Sequence, residues 1–176
     1  MDVGMSQLIP NGRELHQIVA HLPIILLLVA PILVMFSIGQ PAGRRDLFLG
    51  VALTLMVAGT LTTFVALITG EAALKTVGSN PGFQTALAEH RALAQSTVEL
   101  FSVLTLGFAA LFFAPRLLRR KLDSYLNTAL LAIYLVFYAT GSLLLIHTAL
   151  QGGHVVRALE AKATASYHLA GKEIAR

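Results

Sequence analysis

Six histidines in a chain without cysteine are the residues best suited to do chemistry here. Imidazole is the commonest metal ligand in proteins, and it changes charge near neutral pH. The absence of cysteine excludes thiolate metal sites, iron–sulfur ligation and c-type haem attachment by this chain. Five histidines lie near the ends of long apolar segments: His16, His21, His90, His147 and His154. We expect the sixth, His168, to be solvated in the polar C-terminal segment.

The elements that must position these histidines are four apolar runs. Of the 176 residues, 56% are hydrophobic and 12% are charged, whereas a soluble domain has about 25% charged residues. Each run has about the 20 residues needed to cross a bilayer as a helix. The sequence therefore predicts one all-α domain spanning residues 1–176, an up-down bundle of four transmembrane helices over 18–38, 47–70, 93–114 and 126–147, with an outer tail at 148–176.

Basic residues in the short connections orient this bundle. Arg44 and Arg45 follow the first run, and Arg116, Arg119, Arg120 and Lys121 follow the third. The positive-inside rule places both groups in the cytoplasm, so both termini and all the histidines face outward, to the periplasm of a Gram-negative cell. The net charge of +4 therefore reports membrane orientation, not nucleic-acid binding. We expect the first run to be a retained helix, because no basic n-region precedes it.

The histidines fall into two tiers on this outer side. His21 and His147 lie near the membrane surface, His16 and His154 about one and a half turns higher, and His90 between them. A haem held by two histidines needs imidazoles from different helices, which His21 and His147 could supply, with His90 as a competing ligand. Arg91 or Arg157 could then meet the haem propionates or an anionic headgroup.

Two carboxylates accompany the histidines. Glu71 ends the second run, and Glu99 lies about six residues inside the third, where an acidic group usually faces the bundle interior or water. Glu99 could pair with Arg91 or bond to a neighbouring helix. A porphyrin-free site for Cu, Zn or Fe could instead draw on His21, His147, His90, His16, His154, Glu71 and Glu99. The alternative for each histidine is a hydrogen bond to headgroups at the wet interface, and for Glu71 a solvated helix end.

Other features of the helices predict structure. Ser79-Asn80-Pro81 predicts the start of the third helix. Tyr134 and Tyr138 indicate packing and interhelical hydrogen bonds, and Thr140-Gly141-Ser142 indicates close helix packing. We expect the fourth helix to continue past His147 and to loosen at Gly152-Gly153.

One segment resembles a known pattern, the His-Pro-x-x-x-His-Phe-Pro opening of a family of small bacterial four-helix membrane proteins catalogued as a domain of unknown function. The segment is His16-Gln17-Ile18-Val19-Ala20-His21-Leu22-Pro23. The resemblance extends to Glu89-His90-Arg91-Ala92-Leu93-Ala94 and to Gln151-Gly152-Gly153. In this chain Gln17 replaces the first proline, Leu22 replaces the phenylalanine, and His154 follows the glycine pair. The resemblance implies four transmembrane helices. Because some relatives occur alongside redox domains, it also implies electron transfer.

These observations support three functional hypotheses for a multi-pass protein of the bacterial inner membrane. The first is an electron-transfer subunit that binds haem b near the periplasmic surface and exchanges electrons with a quinone or a periplasmic redox protein. The second is a non-catalytic subunit that anchors a larger membrane complex, and the third is a non-haem metal site. The chain has no Glu-x-x-His pair, metalloprotease motif, phosphate-binding loop or nucleophile elbow, so no catalytic residue is predicted and enzymatic activity stays open.

Overall fold

The computed structural model of the protein describes residues 12–74, 81–118 and 123–174, and all of the regular structure in these ranges is helical. The helices are α1 (Gly12–Ser37), α2 (Ala42–Leu74), α3 (Pro81–Leu117) and α4 (Ser124–Ile174). Each predicted apolar run falls on a different helix, and all four helices are long and apolar enough to cross a membrane. The prediction of an all-helical, multi-pass membrane chain is confirmed at this level.

The ends of the helices follow local signals in the sequence. At the end of α1, the Ser37 hydroxyl donates to the Val34 carbonyl at 2.6 Å, and Gly39 adopts a positive φ of 79°, a conformation that glycine adopts without strain. The turn is shorter than predicted, since α2 already begins at Ala42. α3 begins at Pro81 as predicted, because the fixed φ of proline suits the first helical position.

The helices extend well beyond the hydrocarbon thickness of a membrane. α4 has 51 residues, or about 77 Å at 1.5 Å per residue, against about 30 Å of hydrocarbon. The expectation that α4 loosens at Gly152-Gly153 is wrong, because the helix continues through both glycines to Ile174. The predicted outer tail is thus, as far as Ile174, a continuation of the last membrane helix.

The four helices pack in a ring in which each contacts its neighbours in sequence and α4 closes against α1. α1 and α3 therefore lie diagonally across the bundle. The core is filled by large side chains that are almost fully buried, among them Leu27, Met56, Phe101, Phe108 and Tyr138. Gly141 lies within this core, where an added Cβ would come 2.9 Å from Leu104 of α3, so the predicted close packing around Gly141 is confirmed.

The buried tyrosines connect helices through hydrogen bonds, as predicted. Tyr138 of α4 donates to the Leu27 carbonyl of α1 at 2.8 Å. In a regular helix that carbonyl accepts from the amide of residue 31, which here is proline and has no N–H. Tyr138 therefore supplies the donor that Pro31 removes. Tyr134 donates to the Leu104 carbonyl at 3.2 Å, which links α4 to α3.

Candidate functional site

A cavity of about 660 Å³ lies at the end of the bundle where α1 and α3 begin and α2 ends. All four helices contribute to its wall, which is mostly apolar. Titratable side chains of the wall are His16, His21, Glu71, His90, Arg91 and Arg157. The predicted gathering of polar residues at one end of the bundle is therefore observed for these six.

The cavity lies toward one end of the long apolar helices. Arg116, near the other end of α3, is about 39 Å from His90 along that helix at 1.5 Å per residue. This distance exceeds the thickness of bilayer hydrocarbon, which is about 30 Å.

His16 is held by α2. An added Cβ at Gly70 would lie 3.1 Å from the His16 ring, so the imidazole packs closely against the glycine backbone. His16 Nδ1 lies 3.2 Å from the Thr69 hydroxyl. That hydroxyl has two backbone carbonyls of its own helix, those of Val65 and Ala66, at 2.9 and 3.1 Å.

The His16 ring also lies beside the Ala66 backbone carbonyl of α2. In a neutral imidazole one ring nitrogen donates and the other keeps a lone pair, so α2 can hold the ring through its N–H. A partner that fixes one ring nitrogen and leaves the other free is a common feature of metal-binding histidines.

His90 repeats this arrangement in the other half of the bundle. An added Cβ at Gly152 of α4 would lie 3.0 Å from its ring, and the ring also lies beside the Thr148 backbone carbonyl. His90 Nδ1 is buried and has no hydrogen-bond partner. A buried, unpaired ring nitrogen is unfavourable. His16 and His90 are close enough to interact electrostatically.

Arg91 and Arg157 provide positive charge in the cavity wall. Arg91 forms a salt bridge of 2.6 Å with Glu71, which joins α3 to α2, and both side chains are about half exposed. Arg157 Nε donates to the Gly153 carbonyl at 3.2 Å. The salt bridge between Arg91 and Glu99 that the sequence allowed is not formed. Glu99 lies on the exposed surface of α3, where it accepts a hydrogen bond of 3.4 Å from Gln95.

The structure does not bring the predicted axial pair, His21 and His147, together in the cavity. His21 is exposed at the cavity wall, and its Nδ1–H donates to the Gln17 carbonyl at 2.6 Å. His147 and His154 are exposed and do not belong to the wall. The side chain of His168 lies outside the described residues. The two histidines of the wall that are half-buried are His16 and His90.

Sequence reasoning missed the glycines that seat these two imidazoles. Gly70 lies four residues before the end of α2, and Gly152 lies within α4, each beside its imidazole. Counting the rise along adjacent helices could have paired them by height. Only the rotation of each helix, which the packing sets, shows that the rings and the glycines face each other.

No group of three histidine, aspartate or glutamate side chains lies close enough together to hold a metal ion within the described part of the chain. The seven-residue set predicted for a non-haem metal therefore does not converge in the structure. Structural zinc sites usually take four protein ligands, and catalytic zinc sites three. Two opposed imidazoles suit a ligand that needs only two.

A comparison with protein-family models, with curated proteins and with solved structures found no match for this chain.

Proposed function

We propose that the protein is a membrane electron-transfer subunit that binds haem b in the cavity, where His16 and His90 would hold the haem iron. The observation that carries the proposal is the pair of imidazoles. They come from diagonal helices, rest on glycines of the two remaining helices, and border one mostly apolar cavity. Each imidazole would supply one ring nitrogen to the haem iron.

The surroundings of the two imidazoles also fit a haem. The cavity volume of about 660 Å³ lies within the range of about 300–1,000 Å³ that is usual for cofactor sites. Its apolar wall suits a porphyrin, and Arg91 and Arg157 would bind the propionates. When bound, haem supplies reversible one-electron redox chemistry. The chain's own residues orient the two ligands and surround them with apolar side chains.

The location of the cavity favours two kinds of redox partner. The arginine-rich connections favour a position for this end of the bundle at the periplasmic surface of a bacterial inner membrane. A quinol in the bilayer and a periplasmic redox protein could both approach a haem at that surface. The proposed orientation rests on the charge distribution in the sequence.

Optical spectra of histidine variants test the proposal. We expect protein purified from haem-replete cells to show the reduced-minus-oxidised spectrum of a haem with two histidine ligands. His16→Ala and His90→Ala should each lose that spectrum, because each removes one axial ligand. His147→Ala and His154→Ala are matched controls, since both side chains are exposed outside the cavity wall, and both should retain it.

The outcomes separate the competing assignments. Loss of the spectrum in His21→Ala and His147→Ala, with His16→Ala and His90→Ala unchanged, would restore the pair predicted from sequence. A colourless native preparation that contains copper, zinc or iron by elemental analysis would instead support a non-haem metal. Each variant must elute from size exclusion like the native protein, so that unfolding is not counted as loss of a ligand.

The length of α4 favours a second candidate function, that of an anchoring subunit. Its candidate membrane span ends at Ala158, and the helix continues to Ile174, about 24 Å further at 1.5 Å per residue. Such a projection could hold a protein partner at the membrane surface. Purification in mild detergent tests this function. A partner that copurifies with the full chain, and is lost when the chain is ended at Ala158, would support it.

A further inference from the structure

Glu99 occupies a position that a single bundle in lipid does not explain. It is the one Asp, Glu, Lys or Arg residue within the four apolar runs. It lies about 9 Å inside the third run at 1.5 Å per residue. The structure places it on the side of α3 that faces away from the other helices. There it accepts a hydrogen bond from Gln95 of the same helix. Acidic groups at such depth are costly in lipid and almost always face protein or water.

The surface of α3 around Glu99 also differs from the lipid-facing surfaces of the other helices. The exposed positions on this part of α3 are small, polar or charged: Ala88, Glu89, Arg91, Ala92, Gln95, Ser96 and Glu99. Among the described side chains of α3, large exposed hydrophobic residues begin only at Val103. α1, by contrast, exposes large hydrophobic residues from Ile18 to Phe36. Small residues allow another helix to approach closely in a membrane.

We propose that this face of α3 is the interface with a second copy of the chain. In a two-fold pair whose axis follows the membrane normal, equivalent residues lie at the same depth and the contact is reciprocal. Gln95 carries donors and Glu99 carries acceptors one helical turn apart. Gln95 of each copy can therefore bond to the other copy's Glu99, so this face is complementary to itself. The second copy also removes the carboxylate from lipid.

Disulfide cross-linking tests the proposal directly, because the native chain has no cysteine. Ser96→Cys places one thiol on the proposed interface. Leu143→Cys is the matched control, at comparable depth on α4 with 69% of the side chain exposed. In native membranes treated with a mild oxidant, we expect Ser96→Cys to form a covalent dimer and Leu143→Cys to stay monomeric.

Substitution of Glu99 tests the chemistry of the contact. In the Ser96→Cys background, Glu99→Leu should weaken self-association about tenfold, because it removes both reciprocal hydrogen bonds. Glu99→Gln keeps a hydrogen-bonding side chain and should retain most of the dimer. Monomeric Ser96→Cys, equal cross-linking of Leu143→Cys, or cross-links only to a different protein would each overturn the proposal. None of these readouts depends on haem.

Discussion

At the scale of single residues, the candidate site consists of two imidazoles and the two glycines on which they rest. Each histidine lies within the first three turns of one helix, and its glycine lies on the next helix in the chain. The two helical hairpins, α1–α2 and α3–α4, thus each contribute one seated imidazole to the shared cavity. The similarity of the two hairpins is not visible as a sequence repeat. It depends on only four residues, His16, Gly70, His90 and Gly152, which are spread over about 140 positions.

A comparison of two glycine substitutions tests whether the close contact between Gly152 and the His90 ring matters for the site. Gly152→Ala should displace His90, because the new Cβ would lie 3.0 Å from its ring. We expect this variant to lose haem and about 1 kcal/mol of unfolding free energy. Gly107→Ala, on the same bundle but with open space around the position, should keep haem and gain up to about 1 kcal/mol from helix propensity.

Haem absorbance and denaturant unfolding in detergent measure both effects. The expected changes in unfolding free energy have opposite signs, a loss for Gly152→Ala and a gain for Gly107→Ala, because alanine stabilises a helical position that has open space around it. If Gly152→Ala behaved like Gly107→Ala in both measurements, the close contact with His90 would have no consequence. The interpretation that Gly152 positions the His90 imidazole would then be wrong.

The residue types of the site could be predicted from sequence, but their pairing could not. Histidine content and the predicted topology directed attention to the end of the bundle at which the cavity lies. The choice of His21 and His147 failed to match the cavity because height along a helix does not determine which way a side chain points. His147 is exposed and His90 is half-buried, a difference set by the rotation of α3 and α4 about their own axes. That rotation depends on core packing, including Phe101 and Tyr138.

At the scale of helices, α1 depends on a hydrogen bond from α4. Pro31 leaves the Leu27 carbonyl without its helical donor, and the buried Tyr138 hydroxyl fills that role at 2.8 Å. Tyr138→Phe should therefore reduce the unfolding free energy by about 1–3 kcal/mol, the range expected for a buried group left unpaired. Tyr125→Phe, at a position that is 82% exposed, should have little effect.

A double-mutant cycle identifies the cause of the Tyr138→Phe effect. Pro31→Ala restores an amide at residue 31, which can donate to Leu27 within the helix. The loss caused by Tyr138→Phe should consequently be smaller in the Pro31→Ala background than in the native chain. Equal losses in both backgrounds would show that the hydroxyl does not compensate for the proline, and that Tyr138 acts only through packing against Phe101.

Helix identity was the most predictable property of the elements, and helix length the least. Apolar runs locate membrane helices because lipid forces the backbone to satisfy its own hydrogen bonds. Beyond the lipid this constraint ends, and the sequence of α4 after His147 carries no comparable signal. The glycine pair suggested a break, whereas the structure uses Gly152 to make room for His90.

At the scale of the whole molecule, the one-sided cavity has functional meaning only if its side of the membrane is known. The structure places the cavity at the end of the bundle opposite to Arg44, Arg45 and Arg116. Arg116 is also tied there, by a salt bridge of 3.0 Å to Asp46. The positive-inside rule then predicts that the cavity faces away from the cytoplasm.

Labelling of single cysteines tests this orientation, again because the native chain has none. Ala161→Cys lies on the exposed part of α4 beyond the cavity, and Gly43→Cys lies at the opposite end with open space around it. In intact spheroplasts, a membrane-impermeant maleimide should label Ala161→Cys, and it should label Gly43→Cys only after the membrane is permeabilised. The reverse pattern would place the cavity in the cytoplasm, and a periplasmic redox protein could then no longer be its partner.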